Sequence, residues 1–347
     1  MPRADDGLPF LLQYENVAWY SGGEVQILDR RVYPSQIVRV VCKDVAEVAQ
    51  AITDMVTQSA GPRWAAAYAM VLAARKASTL PAAEATELID KSTEMLASAR
   101  PTTSARMREH LSSIASVAKE AILAGEDVED VTLRHVREQE EQSYQMARRI
   151  AENTLDLIPQ NGRILTQCYA ETYIGMTLLL AKASGKNVSL ITPETRPYLQ
   201  GSRLTASVAY DLGVPVTVIT DNMPGYVLSQ GKVDLFISAA DVITMDGHVV
   251  NKIGTFQIAL AADHFGIPYY AQGRPAREHA SIDSVTIEER DPEEVLHFRG
   301  IRTAKEGVQG YYPAFDITPP ALVKAVITPK GVLPPQELHK YGGDDTE

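Results

Sequence analysis

Apolar and polar positions change period twice along the chain. Between residues 14 and 42 they form short β-rich runs, Val17–Tyr20, Glu24–Leu28 and Ile37–Cys42, with Ser21-Gly22-Gly23 as a turn between the first two. The period then lengthens. Asp44 is placed to cap a helix, with Glu47 three residues on as its capping-box partner. Val45, Val48, Ala49, Ile52 and Met55 follow as one apolar stripe at helical spacing. Helical patterns continue through 63–77, 82–99, 102–124 and 129–157, with breaks at Gly61-Pro62, Pro81, Pro101 and Gly125. The pattern predicts a small β element followed by a mainly helical domain, together residues 1–158.

After Pro159-Gln160-Asn161-Gly162 the pattern changes again. Short apolar runs at Ile164–Gln167, Val188–Thr192, Val214–Thr220, Asp234–Ala239 and Ile267–Ala271 alternate with helical stretches near 170–184, 202–212, 223–229 and 252–266. Alternation of this kind builds a parallel, doubly wound α/β sheet, predicted for residues 159–347. Two domains also suit a chain of 347 residues that is 45% hydrophobic.

Charge and composition narrow the function. The formal net charge of −11 argues against a nucleic-acid surface, while a local basic pocket for a phosphate stays compatible with it. No run reaches the ~18 consecutive apolar residues of a membrane helix. Residues 1–10 carry Asp5 and Asp6 and lack a signal-peptide core, so a cytoplasmic setting is expected. Cys42 and Cys168 form neither a metal-type pair nor a disulfide framework, in keeping with a reducing compartment. The seven histidines show no metal-ligand spacing, so no metal is expected. No glycine-rich fingerprint follows any strand, so no dinucleotide cofactor is expected either.

In an open α/β sheet the ligand lies beyond the carboxyl ends of the strands. The residues there are Gln167 and Cys168, then Glu194, Thr195 and Arg196, then Asp221 and Asn222, then Asp241, then Gln272. Cys168, read as opening a helix, would have its thiol pKa lowered by the helix N-terminus; as a small buried hydrophobe it would be inert. Asp241 can be a catalytic acid or a turn cap. Asn251-Lys252-Ile253-Gly254-Thr255 offers an amide and a cation at a helix start, a potential anion site. Arg196 or Arg203 can clamp a phosphate or pair with Glu194.

Several segments are more specific. Glu194-Thr195-Arg196-Pro197 with Gln200-Gly201-Ser202-Arg203-Leu204-Thr205-Ala206 resembles the methylthioribose-1-phosphate isomerase family. So do Ala240-Asp241-Val242-Ile243 with Asn251–Thr255, the run Ile287-Glu288-Glu289-Arg290-Asp291-Pro292-Glu293-Glu294-Val295, and Pro313-Ala314-Phe315-Asp316-Ile317-Thr318-Pro319. The resemblance is dense from about 160 to 335. The wider superfamily also holds ribose-1,5-bisphosphate isomerases and the regulatory subunits of translation initiation factor 2B.

The resemblance implies a Rossmann-like C-terminal domain, a homodimer, a cytoplasmic enzyme of methionine salvage, and a small-molecule sugar phosphate as the partner, with no nucleic acid and no membrane. It implies catalytic roles for Cys168 and Asp241 and substrate contacts at Arg100, Gln200, Asn251 and Lys252. The family's phosphate-holding Arg-Gly-Ala run falls on Gln58, Ser59 and Ala60, so the usual arginine is missing and Arg63 is the nearest replacement. Gln167 stands where the family usually has histidine. The implied reaction converts a 5-substituted ribose 1-phosphate to the ribulose 1-phosphate, with Asp241 as an acid in a dry site. Trp64, Tyr68 and Met70 are either a pocket for the 5-substituent or ordinary helix packing. A ribose-1,5-bisphosphate isomerase and a non-catalytic regulatory subunit are the alternatives.

Overall fold

The computed structural model describes residues 3–99 and 104–342. The chain divides into two compact units, Met1–Gln145 and Met146–Glu347.

The first unit opens with an antiparallel sheet of β1 (Ala18–Ser21), β2 (Glu24–Leu28) and β3 (Arg39–Cys42). Five helices follow: α1 (Val45–Thr53), α2 (Gly61–Ala77), α3 (Ala82–Ser98), α4 (Ser104–Ala124) and α5 (Val128–Leu155), whose last turns belong to the second unit. Asp44 caps α1 by accepting from the Glu47 amide at 2.9 Å, and the Glu47 carboxylate reaches back to the Lys43 amide at 2.6 Å. The expected cap is therefore present, with its return bond one residue earlier.

Helix α2 is apolar all round, and that pattern belongs to a buried helix. Its alanine-rich sequence lets its neighbours approach closely; Trp64, Tyr68 and Met70 are all at most 1% exposed in this core. These three side chains are packing, and the Tyr68 hydroxyl donates to Glu140 at 2.7 Å. Cys42 is buried in the same core, where burial pushes its thiol up to about 11, in keeping with an unreactive role.

The second unit contains β4 (Arg163–Leu165), α6 (Glu171–Ala183), β5 (Ser189–Pro193), α7 (Ala206–Asp211), β6 (Val216–Ile219), α8 (Pro224–Ser229) and β7 (Leu235–Ala239). Next come β8 (Val242–Ile243), β9 (Val249–Lys252), α9 (Thr255–His264) and β10 (Tyr269–Gln272). Beyond them lie α10 (Glu293–Leu296), the small hairpin β11 (His297–Phe298) and β12 (Ile301–Arg302), then β13 (Phe315–Thr318), β14 (Ala325–Thr328) and β15 (Gly331–Leu333). The main sheet runs β15-β14-β10-β7-β4-β5-β6. It is parallel except for β15. The five expected strands are all in it, and β14 and β15 extend it. β8, β9 and β13 form a separate antiparallel sheet.

The strand order fixes where a ligand can enter. From β4 the chain builds outward through β5 to β6, then returns to the other side of β4 to lay down β7, β10 and β14. The connections from β4 and β7 therefore leave in opposite directions, and in open α/β sheets ligands bind beyond the carboxyl ends at such a reversal.

One close approach at the end of β5 depends on glycine. A Cβ on Gly201 would lie 1.7 Å from the Pro193 carbonyl oxygen and 2.9 Å from Thr192 Oγ1. Gly201 opens the π-helical turn Gly201–Thr205 that leads into α7. Gly201→Ala is expected to cost about 3 kcal/mol of stability through overpacking, read as a lowered melting temperature. A melting temperature equal to that of the parent would show that the turn relaxes freely.

Candidate active site

Cys168 follows β4 and Asp241 follows β7, so these residues stand on the two strands that flank the reversal of the sheet. Their side chains interact electrostatically, the Asp241 carboxylate opposing ionisation of the thiol. The Asp241 amide donates to the Val250 carbonyl at 2.9 Å, which fastens the strand end to β9. The Asp241 side chain is exposed, so the dry surroundings expected of an acid there must come with the substrate.

Cys168 differs from its expectation. Helix α6 begins at Glu171, so Cys168 precedes it in a loop, at φ +62°. Burial pushes the thiol up to about 11; Asp241 adds to this, while Lys252, the Tyr169 amide and Arg290 oppose it. The thiol is thus raised, where a helix N-terminus was expected to lower it, because desolvation of the sulfur outweighs the nearby cations. Positive φ recurs around it at Glu171, Thr195 and Leu199, all at the carboxyl ends of β4 and β5. Each such residue costs of order 1–3 kcal/mol, and such strain clusters at functional sites.

Asn251 and Lys252 lie on strand β9, where a helix start was expected. Helix α9 begins three residues later and is already capped: Asp316 accepts from the Gly254 amide at 2.7 Å and the Phe256 amide at 3.1 Å. The protein's own carboxylate thus fills the anion position at this helix end. Burial pushes that carboxyl up to about 6, against the pull of the two amides and of Lys252. Lys252 is 4% exposed; its Nζ donates to the Ala314 carbonyl at 2.9 Å and sits 4.4 Å from the centre of the Phe315 ring. Asn251 Nδ2 donates to Thr255 Oγ1 at 3.0 Å. Gln167, in the position of the family histidine, donates from Nε2 to the Ile253 carbonyl at 2.9 Å and so joins the end of β4 to the turn after β9.

Gln200 is 1% exposed, and neither Nε2 nor Oε1 finds a hydrogen-bond partner among the described residues. Other buried oxygens without partners gather along the same carboxyl edge: Thr166 Oγ1, Gln167 Oε1 and Gln272 Oε1. Buried polar groups in native proteins are usually met by protein, water or ligand, so these atoms are candidates to contact a polar ligand at the end of the sheet.

The two arginines considered as clamps are engaged with main chain. Arg196 donates to the carbonyls of His297 at 2.9 Å and Val295 at 3.3 Å, and Arg203 donates to that of Tyr198 at 2.6 Å. Arg196 thereby ties the segment around α10 to the end of β5.

The remaining expected contacts lie in the first unit. Gln58 is buried, with Nε2 directed at Met55 Sδ, 3.6 Å away. The fully buried Arg30 donates to the Gln58 carbonyl at 2.6 Å and supports the loop from beneath. Ser59 is exposed at φ +58°, and Ala60 is the N-cap of α2. Arg63 lies over the Trp64 ring at 4.7 Å. Arg100 falls outside the described residues. Among the described residues no group of three or more His, Cys, Asp or Glu is arranged to hold a metal ion, and no helix is long and apolar enough to cross a membrane.

Reading the sequence missed Arg290 and Tyr312. Both act electrostatically around Cys168, and Arg290 has a side chain only 8% exposed. The motif that holds Arg290 was visible, but its place in space depends on the pairing of 288–290 with 312–314.

Replacing Gln200 tests whether its amide serves a ligand. Gln200→Leu removes two buried polar atoms that lack partners, so the melting temperature is expected to hold or rise by a few degrees. A marked fall would show that the amide is structural.

Known proteins supply the frame for this geometry. Residues 57–335 match the initiation factor 2 subunit family. A methylthioribose-1-phosphate isomerase of Pseudothermotoga lettingae is 36% identical over 328 residues, covering 91% of this chain and 94% of that protein. One from Pelotomaculum thermopropionicum is 36% identical over 335 residues, covering 92% and 91%. Among solved structures, 5-methylthioribose 1-phosphate isomerase from Pyrococcus horikoshii superposes with a TM-score of 0.83 at 30% identity, covering 98% of this chain and 97% of that one. Translation initiation factor eIF-2B subunit delta from A. fulgidus gives 0.80 at 31%, covering 93% and 96%. The chain therefore belongs to the initiation factor 2 subunit family, groups there with the methylthioribose-1-phosphate isomerases, and is an isomerase.

Proposed function

We propose that the protein converts a 5-substituted ribose 1-phosphate, S-methyl-5-thioribose 1-phosphate or a 5-deoxyribose 1-phosphate analogue, to the corresponding ribulose 1-phosphate. The single observation that carries this reading is the pairing of Cys168 and Asp241 across the sheet reversal, within a family that contains such isomerases. Cys168 and Asp241 are the catalytic pair. Gln200, Asn251 and Lys252 hold the sugar, and Gln58, Ser59, Ala60, Arg63 and Arg100 are assigned to the phosphate. The enzyme acts as a cytoplasmic homodimer and needs no cofactor.

The chemistry follows from the substrate. Phosphate on O1 blocks spontaneous opening of the ring. Asp241, dried by the bound sugar, gives a proton to the ring oxygen as the C1–O4 bond breaks. In a proton-transfer route Cys168 as thiolate takes the C2 proton to form the enol, the C2 hydroxyl loses its proton, and C1 gains one. A second route moves hydride from C2 to C1 while the two side chains handle protons at oxygen. Burial raises the thiol, which weighs against the thiolate that the first route needs. Reaction in D2O separates the two: deuterium at C1 of the ketose demands the first route, and its complete absence supports the second.

Cys168→Ala and Asp241→Asn are each expected to lower turnover about 10²–10⁴-fold without loss of folding. The assay uses a panel of ribose 1-phosphates that differ at C5, including the 1,5-bisphosphate. Near-normal rates in either variant would remove that residue from the mechanism. Binding across the panel without turnover in the parent protein would favour a regulatory subunit instead.

A further inference from the structure

Gln167 has no part in the reaction as written, yet it is the residue next to the thiol at the end of β4. It is buried, at 2% exposed. Nε2 donates to the Ile253 carbonyl at 2.9 Å, so the amide reaches from β4 to the turn after β9. A carbonyl cannot donate, and this bond therefore fixes which end of the amide is nitrogen. Oε1 is the end left over, and it finds no hydrogen-bond partner among the described residues.

The backbone around it holds the amide in this pose. Gly254 has φ +103°, and a Cβ there would lie 2.8 Å from Gln167 Nε2, so glycine leaves room for the side chain. The Cys168 carbonyl is held by the hydroxyl of Thr205. The Asp241 amide donates to the Val250 carbonyl at 2.9 Å, in the strand that runs up to Ile253. Gln167 thus joins the segment that carries the thiol to the segment that follows the carboxylate.

A buried acceptor without a donor is costly, and a ligand that supplies the donor recovers the cost. An aldose 1-phosphate offers few donors. Its ring oxygen and dianionic phosphate only accept, while its hydroxyls donate. In the proposed reaction C2 faces Cys168, the neighbour of Gln167, which makes the C2 hydroxyl the donor at hand.

We infer that Gln167 contacts the substrate, its Oε1 accepting a hydrogen bond from the C2 hydroxyl and so selecting sugars that carry one. The amide takes no proton. It orients the hydroxyl whose oxygen becomes the ketone. The inference rests on the proposed reading in which an aldose 1-phosphate binds with C2 toward Cys168.

The test is a cycle of two ligands and two proteins. S-methyl-5-thioribose 1-phosphate and its 2-deoxy counterpart are titrated calorimetrically into full-length Cys168→Ala and into Cys168→Ala with Gln167→Met, where turnover is slow enough to read binding. With Gln167 in place, loss of the hydroxyl is expected to weaken binding about ten-fold or more. Gln167→Met is expected to weaken the 2-hydroxy sugar about ten-fold and the 2-deoxy sugar less than about three-fold. General disturbance of the site would weaken both ligands alike. That result, or equal affinity for the two ligands with Gln167 in place, would overturn the inference. Should Gln167→Met fail to fold, Gln167→His decides it. Neutral histidine offers one donor and one acceptor, and its protonated form offers two donors. Its preference for the 2-hydroxy sugar is expected at about pH 8 and lost near about pH 5.5. The same preference at both, or none at either, would overturn the inference. Failure of the parent protein to bind either sugar would overturn the proposed reading and the inference together. Turnover by the parent with an uncoupled cycle would overturn the role of Gln167 alone.

Discussion

The site depends on one constraint of the parallel sheet. Each parallel strand needs a crossover connection, and here successive crossovers carry the chain outward from β4 to β6 before it returns to lay β7 against the free side of β4. That reversal leaves two strand ends side by side with their connections leading apart. Cys168 leaves one and Asp241 the other. The thiol and the carboxylate are 73 positions apart in sequence by subtraction (241 − 168), and the strand order brings them together.

The elements added after β7 finish the site. The hairpin of β8 and β9 turns back at once, carrying Asn251 and Lys252, and β13 pairs with β9 so that Asp316 lies opposite Asn251. From there Asp316 caps α9 and helps fix the turn at Gly254. Gln167 reaches from the end of β4 to the Ile253 carbonyl, so the loop bearing the thiol and the loop after Lys252 are held to each other. Along the same carboxyl edge Gln200, Thr166 and Gln272 hold buried polar atoms without hydrogen-bond partners among the described residues.

Local periodicity made much of this legible in the sequence. The alternation of apolar runs and helical stretches was enough for the doubly wound sheet, and Cys168 and Asp241 were both flagged by the rule of strand ends. The pattern did not resolve Val249–Lys252 as a strand, because that segment is short and fully buried and runs straight into α9. β14 was missed for a related reason: Ala325–Thr328 is four residues long and follows a proline-rich stretch. The thiol's protonation could not be read at all. A helix start was expected to acidify it, but Cys168 lies three positions before the first residue of α6, and burial decides the outcome. The place of Arg290 was not legible because it depends on pairing with residues more than twenty positions away.

The claim that unites these observations is that the sugar sits at the reversal of the sheet between Cys168 and Asp241. A crystal structure of Cys168→Ala with the aldose 1-phosphate bound tests it most directly. The account predicts the sugar at the carboxyl ends of β4 and β7, its ring oxygen within about 2.6–3.2 Å of Asp241 and its C2 facing the position vacated by the sulfur. A sugar bound elsewhere, or one whose C2 and ring oxygen face away from both residues, would contradict it.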